Sequence, residues 1–119
     1  MFDVESFRLY CLSKKVVTES FPFDETTLVF KVAGKMFALV SLDAPVFWVN
    51  LKCDPEKAIE LREEYPENIL PGYHMSKTHW NSIYPIGKIK LDLFKYLTDH
   101  SYDLIVASLP KKVREEFGL

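Results

Sequence analysis

Leu28-Val29-Phe30-Lys31-Val32-Ala33, then Gly34-Lys35, then Met36-Phe37-Ala38-Leu39-Val40-Ser41-Leu42 is the stretch whose reading decides the fold. Both runs are dense in β-branched and aromatic residues, which suit a pleated, half-buried surface, and the short glycine-containing joint predicts a hairpin. Asp43-Ala44-Pro45 then turns the chain into Val46-Phe47-Trp48-Val49-Asn50-Leu51-Lys52, a third strand. Strands so close in sequence pair antiparallel, because parallel neighbours need a long crossover between them. The expectation is a three-stranded meander.

Helical patterns flank it. Upstream, Asp3 is an N-cap candidate, and Val4, Phe7, Tyr10 and Cys11 recur at helical spacing with Lys14-Lys15 closing the last turn. That predicts a first helix of about three turns. Phe21-Pro22-Phe23-Asp24-Glu25 reads as a loop. Downstream, Asp54-Pro55-Glu56 combines an N-cap, a proline at the first helical position and an acid in the first turn, and Pro66 ends that helix. His79-Trp80-Asn81-Ser82-Ile83-Tyr84 reads as a fourth strand and Pro85-Ile86-Gly87-Lys88 as a turn. Leu93, Leu97, Tyr102, Ile105 and Leu109 mark a long helix from about Lys90 to Pro110, and the tail adds one short turn. The layout αβββαβα makes residues 1–119 a single α+β domain: an antiparallel sheet with helices packed on one face, a two-layer sandwich.

Composition narrows the function classes. A chain of 119 residues with 48% hydrophobic and 14% aromatic content supports one core, and disorder is not favoured. A formal charge of −2 argues against a strongly basic nucleic-acid binder. The charge is uneven: residues 1–69 carry 8 Lys/Arg against 12 Asp/Glu, and residues 70–119 carry 7 against 5. Cys11 and Cys53 lack the C-x-x-C spacing of zinc or redox motifs and read as free thiols of a reducing compartment. Met1-Phe2-Asp3-Val4-Glu5 has neither the basic nor the apolar region of a signal peptide, and no apolar run reaches membrane-spanning length. The expectation is a cytoplasmic protein without membrane contact, monomeric, with dimerisation through an exposed edge strand left open.

The densest chemistry lies in Pro71-Gly72-Tyr73-His74-Met75-Ser76-Lys77-Thr78-His79-Trp80-Asn81-Ser82-Ile83-Tyr84, which holds two of the 3 histidines and one of the 2 tryptophans. A segment built only to fill a core would not carry so many hydrogen-bonding side chains, and a plain linker would not carry so many aromatic ones. Pro71-Gly72-Tyr73-His74-Met75-x-Lys77-x-His79-Trp80 joins four other pieces in a consistent order: Leu28-Val29-Phe30-Lys31-Val32, Gly34-Lys35-Met36-Phe37-Ala38, Leu51-Lys52-Cys53-Asp54-Pro55, and His100-Ser101-Tyr102-Asp103-Leu104-Ile105-Val106-Ala107-Ser108-Leu109-Pro110. Together, over nearly the whole chain, they resemble the YjbR/MmcQ family. The resemblance implies a CyaY-like fold, similar to the frataxin group, and no defined reaction. It also brings a DNA-binding role proposed for the family, with two hairpin wings flanking a helix.

Carried onto this chain, the wing reading takes Ala33-Gly34-Lys35 as one tip, with Lys31 and Lys35 near phosphates. Tyr84-Pro85-Ile86-Gly87-Lys88 is the other, with Lys88 and Lys90. Lys77, His74 and His79 add donors, and Lys111, Lys112 and Arg114 a basic tail. Arg8, Arg62 and Arg114 are the only arginines and none lies in a wing, so the contacts expected are weak, salt-sensitive and largely non-specific. The alternative makes Tyr73, His74, Lys77, His79, Trp80 and Asn81 the wall of a polar pocket, with Tyr84 and His100 as further candidates. Such a pocket would suit a small anionic ligand or a protein partner. Strand alternation places Trp80 on the face opposite Asn81.

Other chemistries fit less well. His74 and His79 stand five apart, which is not a metal-ligand spacing, and the first helix has too few acids for an iron ridge. A helix N-terminus or a histidine could activate Cys53, but the adjacent Asp54 opposes that and a structural cysteine is expected; Ser101 in a helical run is expected to bond a backbone carbonyl. Gly34 and Gly87 are isolated, so no phosphate-cradling loop exists. Glu56, Glu60, Glu63 and Glu64 alternate with Lys57 and Arg62 as on a solvated helix face. The expectation is a non-enzymatic protein without cofactor or metal.

Overall fold

Val32 pairs with Lys35 across a two-residue turn whose members, Ala33 and Gly34, both have positive φ, 48° and 84°. This is the primed turn geometry whose twist matches that of the flanking strands, and Gly34 adopts it without a Cβ penalty. The hairpin is therefore set locally, as its sequence predicts, with the turn at Ala33-Gly34, one residue before the expected Gly34-Lys35 joint. The structure, a computed structural model, describes residues 1–119. Its elements are α1 (Val4–Leu12), β1 (Val17–Ser20), β2 (Thr27–Val32), β3 (Lys35–Ser41), β4 (Val49–Lys52), α2 (Pro55–Glu64), β5 (Ile69–Pro71), β6 (Trp80–Ile83), α3 (Leu91–Ser108) and α4 (Lys111–Phe117).

The six strands form one antiparallel sheet in the order β1-β2-β3-β4-β6-β5. The expected meander is its centre. Strands β1 and β5 extend the expected set of four. Val17-Thr18-Glu19-Ser20 holds one apolar residue, and Ile69-Leu70-Pro71 is three residues long with a proline, so neither has a legible period. Each is stabilised by the neighbour it pairs with, and Pro71 is tolerated because β5 is an edge. The first helix stops at Leu12, short of the two lysines expected to close it; Lys14 reaches Asp99, and Lys15 Nζ donates to the Gly118 carbonyl at 2.8 Å. The start of α2 follows its sequence signal, with the Asp54 carboxylate accepting from Lys57 N at 3.2 Å.

Register divides the side chains cleanly. Leu28, Val40, Val49, Ile83 and Ile69 form one row of cross-strand partners, all buried on the side of the helices. Phe7 and Cys11 of α1, Ala58 and Leu61 of α2, and Phe94, Leu97 and Ile105 of α3 pack onto that side. Phe7 stacks on Phe94 at 5.6 Å between ring centroids and meets Phe30 edge-on at 5.9 Å. A bulge between the pairs Phe30–Ala38 and Lys31–Met36 leaves Phe37 as an extra residue, so both Phe37 and Ala38 join this core. Ser101 on α3 bonds a backbone carbonyl as expected, but that of Phe37 on β3 rather than one of its own helix, and accepts from Lys52 N at 2.9 Å. The opposite row, Val29, Leu39, Asn50, Ser82 and Leu70, has no helix over it. No helix is long and apolar enough to cross a membrane.

Candidate functional site: a cleft on the uncovered sheet face

On the uncovered face, Val29, Leu39 and Trp80 make a small buried cluster with Met36 and Met75 against it. Beside it opens a cleft of about 420 Å³, within the range of small-molecule sites. Leu39, Ser41 and Asn50 belong to its floor strands. Phe23 and Asp24 come from the β1–β2 loop, Trp48 from the approach to β4, and Tyr73, His74 and Met75 from the β5–β6 loop.

Each wall has a local cause. Asp24 Oδ1 accepts from Thr27 N at 2.7 Å and Thr26 N at 2.9 Å, which closes the β1–β2 loop and leaves Phe23 62% exposed at the rim. Hydrogen bonds from Thr26 and Thr27, the Thr26 backbone N–H foremost, hold the Asp24 carboxyl below its ordinary value. Residues 47–50 alternate across the sheet. Phe47 packs among Phe7 and Phe94, while Trp48 turns to the open side, edge-on to Tyr73 at 6.0 Å and stacked on Tyr84 at 5.7 Å.

The β5–β6 loop is tied down at both ends. Asn50 and Ser82 are direct cross-strand partners; Ser82 Oγ donates to Asn50 Oδ1 at 2.5 Å and accepts from Tyr73 N at 2.9 Å, while Asn50 Nδ2 donates to the Tyr73 carbonyl at 3.1 Å. Two buried polar side chains on an otherwise apolar sheet row thus satisfy each other and both backbone groups of Tyr73. Gly72 N donates to the Trp80 carbonyl at 2.8 Å, and a Cβ on Gly72 would stand 2.7 Å from Trp80 Cβ, so only glycine fits that approach. Arg62 braces the loop from behind: Nε donates to Asn81 Oδ1 at 2.7 Å and Nη2 to the Lys77 carbonyl. His74 takes a left-handed φ of 59° and lines the cleft.

The structure thus divides the pocket read from sequence. Tyr73 and His74 line the cleft; Lys77 turns back and donates to the Gly72 carbonyl. His79 is exposed outside the strand, and only its carbonyl is engaged, accepting from Cys53 N at 2.8 Å. Trp80 is 8% exposed and packs on the open-face cluster, whereas Asn81, 1% exposed, faces α2, so the alternation expected for this pair holds. Tyr84 supports Trp48 without lining the cleft, and His100 lies on the helical side, where Nε2 accepts from Asp54 N at 3.2 Å. Phe23, Asp24, Leu39, Ser41, Trp48 and Asn50 escaped the sequence reading. The signals were two phenylalanines in a polar loop and a lone asparagine in an apolar strand.

The lysines of the wing reading are dispersed. Val40 is level with Val49 and Val49 with Ile83, so the chain leaves β6 at the sheet end opposite the Ala33-Gly34 tip, about 20 Å along the strands. Lys31 and Lys35 stand at one end; Lys88 and Lys90 stand at the other, in the irregular link from β6 to α3 rather than in a hairpin. Arg62 is not part of a solvated face but a strut. No group of three His, Cys, Asp or Glu side chains gathers to hold a metal. Cys53 is buried, and burial pushes its thiol up to about 11, which keeps it protonated at neutral pH.

The comparisons with known proteins bear on the whole of this arrangement. The YjbR family model matches residues 12–104. The chain belongs to the YjbR family. Among YjbR relatives, the Escherichia coli O157:H7 protein YbdF is 39% identical over 108 residues, covering 91% of this chain and 88% of its own length. Protein YjbR of Escherichia coli K12 is 32% identical over 106 residues, with 89% of each chain covered. Both are named as uncharacterized proteins, so the YjbR assignment brings no activity with it. The crystal structure of the Deinococcus radiodurans protein DR2400 superposes with a TM-score of 0.95 at 37% identity, over 100% of this chain and 90% of that one. A Pseudomonas syringae structure follows with a TM-score of 0.72 at 25% identity, covering 86% of this chain and 97% of its own.

Proposed function

We propose that this YjbR domain is a non-enzymatic binding protein that takes a compact, mainly apolar group into the cleft framed by Phe23, Trp48 and Tyr73–Met75. One observation carries the reading. The uncovered face holds a cavity of about 420 Å³ with aromatic walls, and its loop is held in place by Asn50, Ser82, Gly72 and Arg62. A preformed apolar cavity with a few fixed polar groups is the usual construction of a ligand site, because little ordering cost remains when the ligand enters. Asp24, Thr27, Ser41 and Asn50 are engaged in hydrogen bonds that hold the cleft walls, and the reading is binding without reaction. The occupant is a small molecule or a single side chain of a partner. DNA binding through two basic wings draws less support, since the lysines it needs stand at opposite ends of the sheet.

Amide chemical-shift mapping tests the reading with a set of small aromatic and alkyl fragments. Shifts confined to Phe23, Trp48 and Tyr73–Met75, saturating with fragment concentration, are expected. Shifts scattered over the surface, or none, would overturn it. A parallel anisotropy titration with labelled duplex and single-stranded DNA, at about 50 and 200 mM salt, is expected to show no saturable binding. Salt-sensitive micromolar binding lost in a Lys35→Glu/Lys88→Glu variant would restore the wing reading instead.

A further inference from the structure

The walls of the cleft carry information about charge. Among its eleven lining residues there is no lysine and no arginine, and the one carboxylate is Asp24. A second acid stands at the margin, where the lining residue Ser41 donates to Asp43 Oδ1 at 2.9 Å. Three aromatic side chains, Phe23, Trp48 and Tyr73, line the same space, and Trp48 and Tyr73 meet edge to face, 81° apart. Two aromatic planes at near right angles make a corner, and Phe23 lines the same cleft from the β1–β2 loop.

Aromatic faces carry negative quadrupole density and attract cations, most strongly when the cation is poorly hydrated. An anion would meet the Asp24 carboxylate with no lysine or arginine to compensate it, His74 being the one basic side chain of the lining, whereas a neutral ligand would leave the field of that carboxylate unused. The nearest lysine of the loop, Lys77, is directed at the Gly72 carbonyl instead of the cleft. The Asp24 charge is also persistent, since the hydrogen bonds that close its turn favour the ionised form.

We propose that the cleft binds a compact organic cation, an alkylated ammonium group, held against Phe23, Trp48 and Tyr73 and faced by the Asp24 carboxylate. This rests on the reading of the cleft as a binding site and adds its ligand class. The group can come as a free small molecule or as a methylated lysine side chain, which share the same chemistry.

The test compares choline with its uncharged isostere 3,3-dimethylbutan-1-ol, which has the same shape, by chemical-shift titration of the intact chain with the summed fluorescence of Trp48 and Trp80 as second readout. Choline is expected to bind at least about tenfold more tightly than the isostere, since a cation–aromatic contact is worth on the order of one such factor. In Asp24→Asn, which keeps the Oδ1 acceptor for Thr26 and Thr27, the ratio is expected to fall towards one. Trp48→Leu is expected to weaken choline at least about fivefold, and it stands as an independent variant should the first disturb its loop. Equal binding of choline and the isostere would overturn the cation while leaving the cleft as a ligand site. Binding of neutral aromatic fragments alone would do the same. No binding of any probe would remove both readings. A trimethyllysine peptide supplies the last arm: tighter binding than choline assigns the group to a protein side chain, and weaker binding to a free molecule.

Discussion

The two faces of this sheet are built from the same six strands and solve opposite problems. The helical face buries a cluster of 19 residues, with aromatic rings from α1, β2, β3 and α3 locked edge to face and face to face. The open face buries three, and next to them it places a polar pair, Asn50 and Ser82, in the middle of the row. On one side apolar area is removed from water by neighbours distant in sequence, which is where stability comes from. On the other, hydrogen bonds hold a loop above the sheet so that a cavity stays open beneath it. The lesson is that the less hydrophobic face is not a weaker core but a differently assigned surface.

The helical face depends most heavily on Phe94. It is fully buried, stacks on Phe7 and meets Phe47 edge-on, so Phe94→Ala is expected to lose about 3–5 kcal/mol in urea denaturation. A smaller loss than from any open-face substitution would invert the assignment of the two faces. Gly72→Ala comes next: the added methyl meets Trp80 Cβ at 2.7 Å, and a loss of about 1–3 kcal/mol is expected, with displaced amide resonances from Tyr73 to Met75. Unchanged resonances there would show that the loop does not depend on that approach.

Ser82→Ala sharpens the contrast. It removes the acceptor for Tyr73 N and the donor to Asn50, and about 1–2 kcal/mol is expected to be lost. Hydrogen exchange should then quicken at Tyr73 while the amides of Val40 and Val49, whose side chains lie in the helical-side core, stay protected. The smallest effect concerns pH at the helical rim. Burial, and then the nearby Lys57 charge, hold His100 below its ordinary 6.5 against the opposing pull of Asp54 and Asp103, and its Nε2 accepts from Asp54 N. The folded state therefore favours the neutral ring: this stability is intact above pH 6.5 and is lost as pH falls through the lowered folded value. The melting temperature is expected to drop by about 2 °C between pH 8 and 5 beyond the drop seen in His100→Gln, which keeps an acceptor. Identical pH profiles for the two proteins would remove the effect.

Legibility followed the range of the causes. The central hairpin, the Asp54 cap and the long C-terminal helix were readable because turn residues, caps and periodicity act within a few positions. β1 and β5 were not, since short edge strands exist only through the neighbour that pairs with them. The site was half legible. The Tyr73-His74-Met75 part stood out by composition, but Phe23, Asp24, Trp48 and Asn50 lie up to fifty residues away and carry no mark of belonging with it. Lys77, His79 and Asn81 sat in the right stretch and faced elsewhere: the irregular loop turned Lys77 and His79 aside, and strand alternation in β6 sent Asn81 to the helical face.

By itself the sequence determined the α+β class, the antiparallel centre of the sheet, the chain's membership in the YjbR family and the segment that carries one wall of the site. Those rest on local stereochemistry and on motif order, which one dimension records. Only the tertiary structure decided which face stayed open, that Asn50 and Ser82 meet across β4 and β6, and that Arg62 braces the loop. It also decided that aromatic rings and one carboxylate surround the cavity, with His74 beside them and the lysines and His79 turned elsewhere. Register and packing set those outcomes, and both are properties of residues brought together from distant parts of the chain.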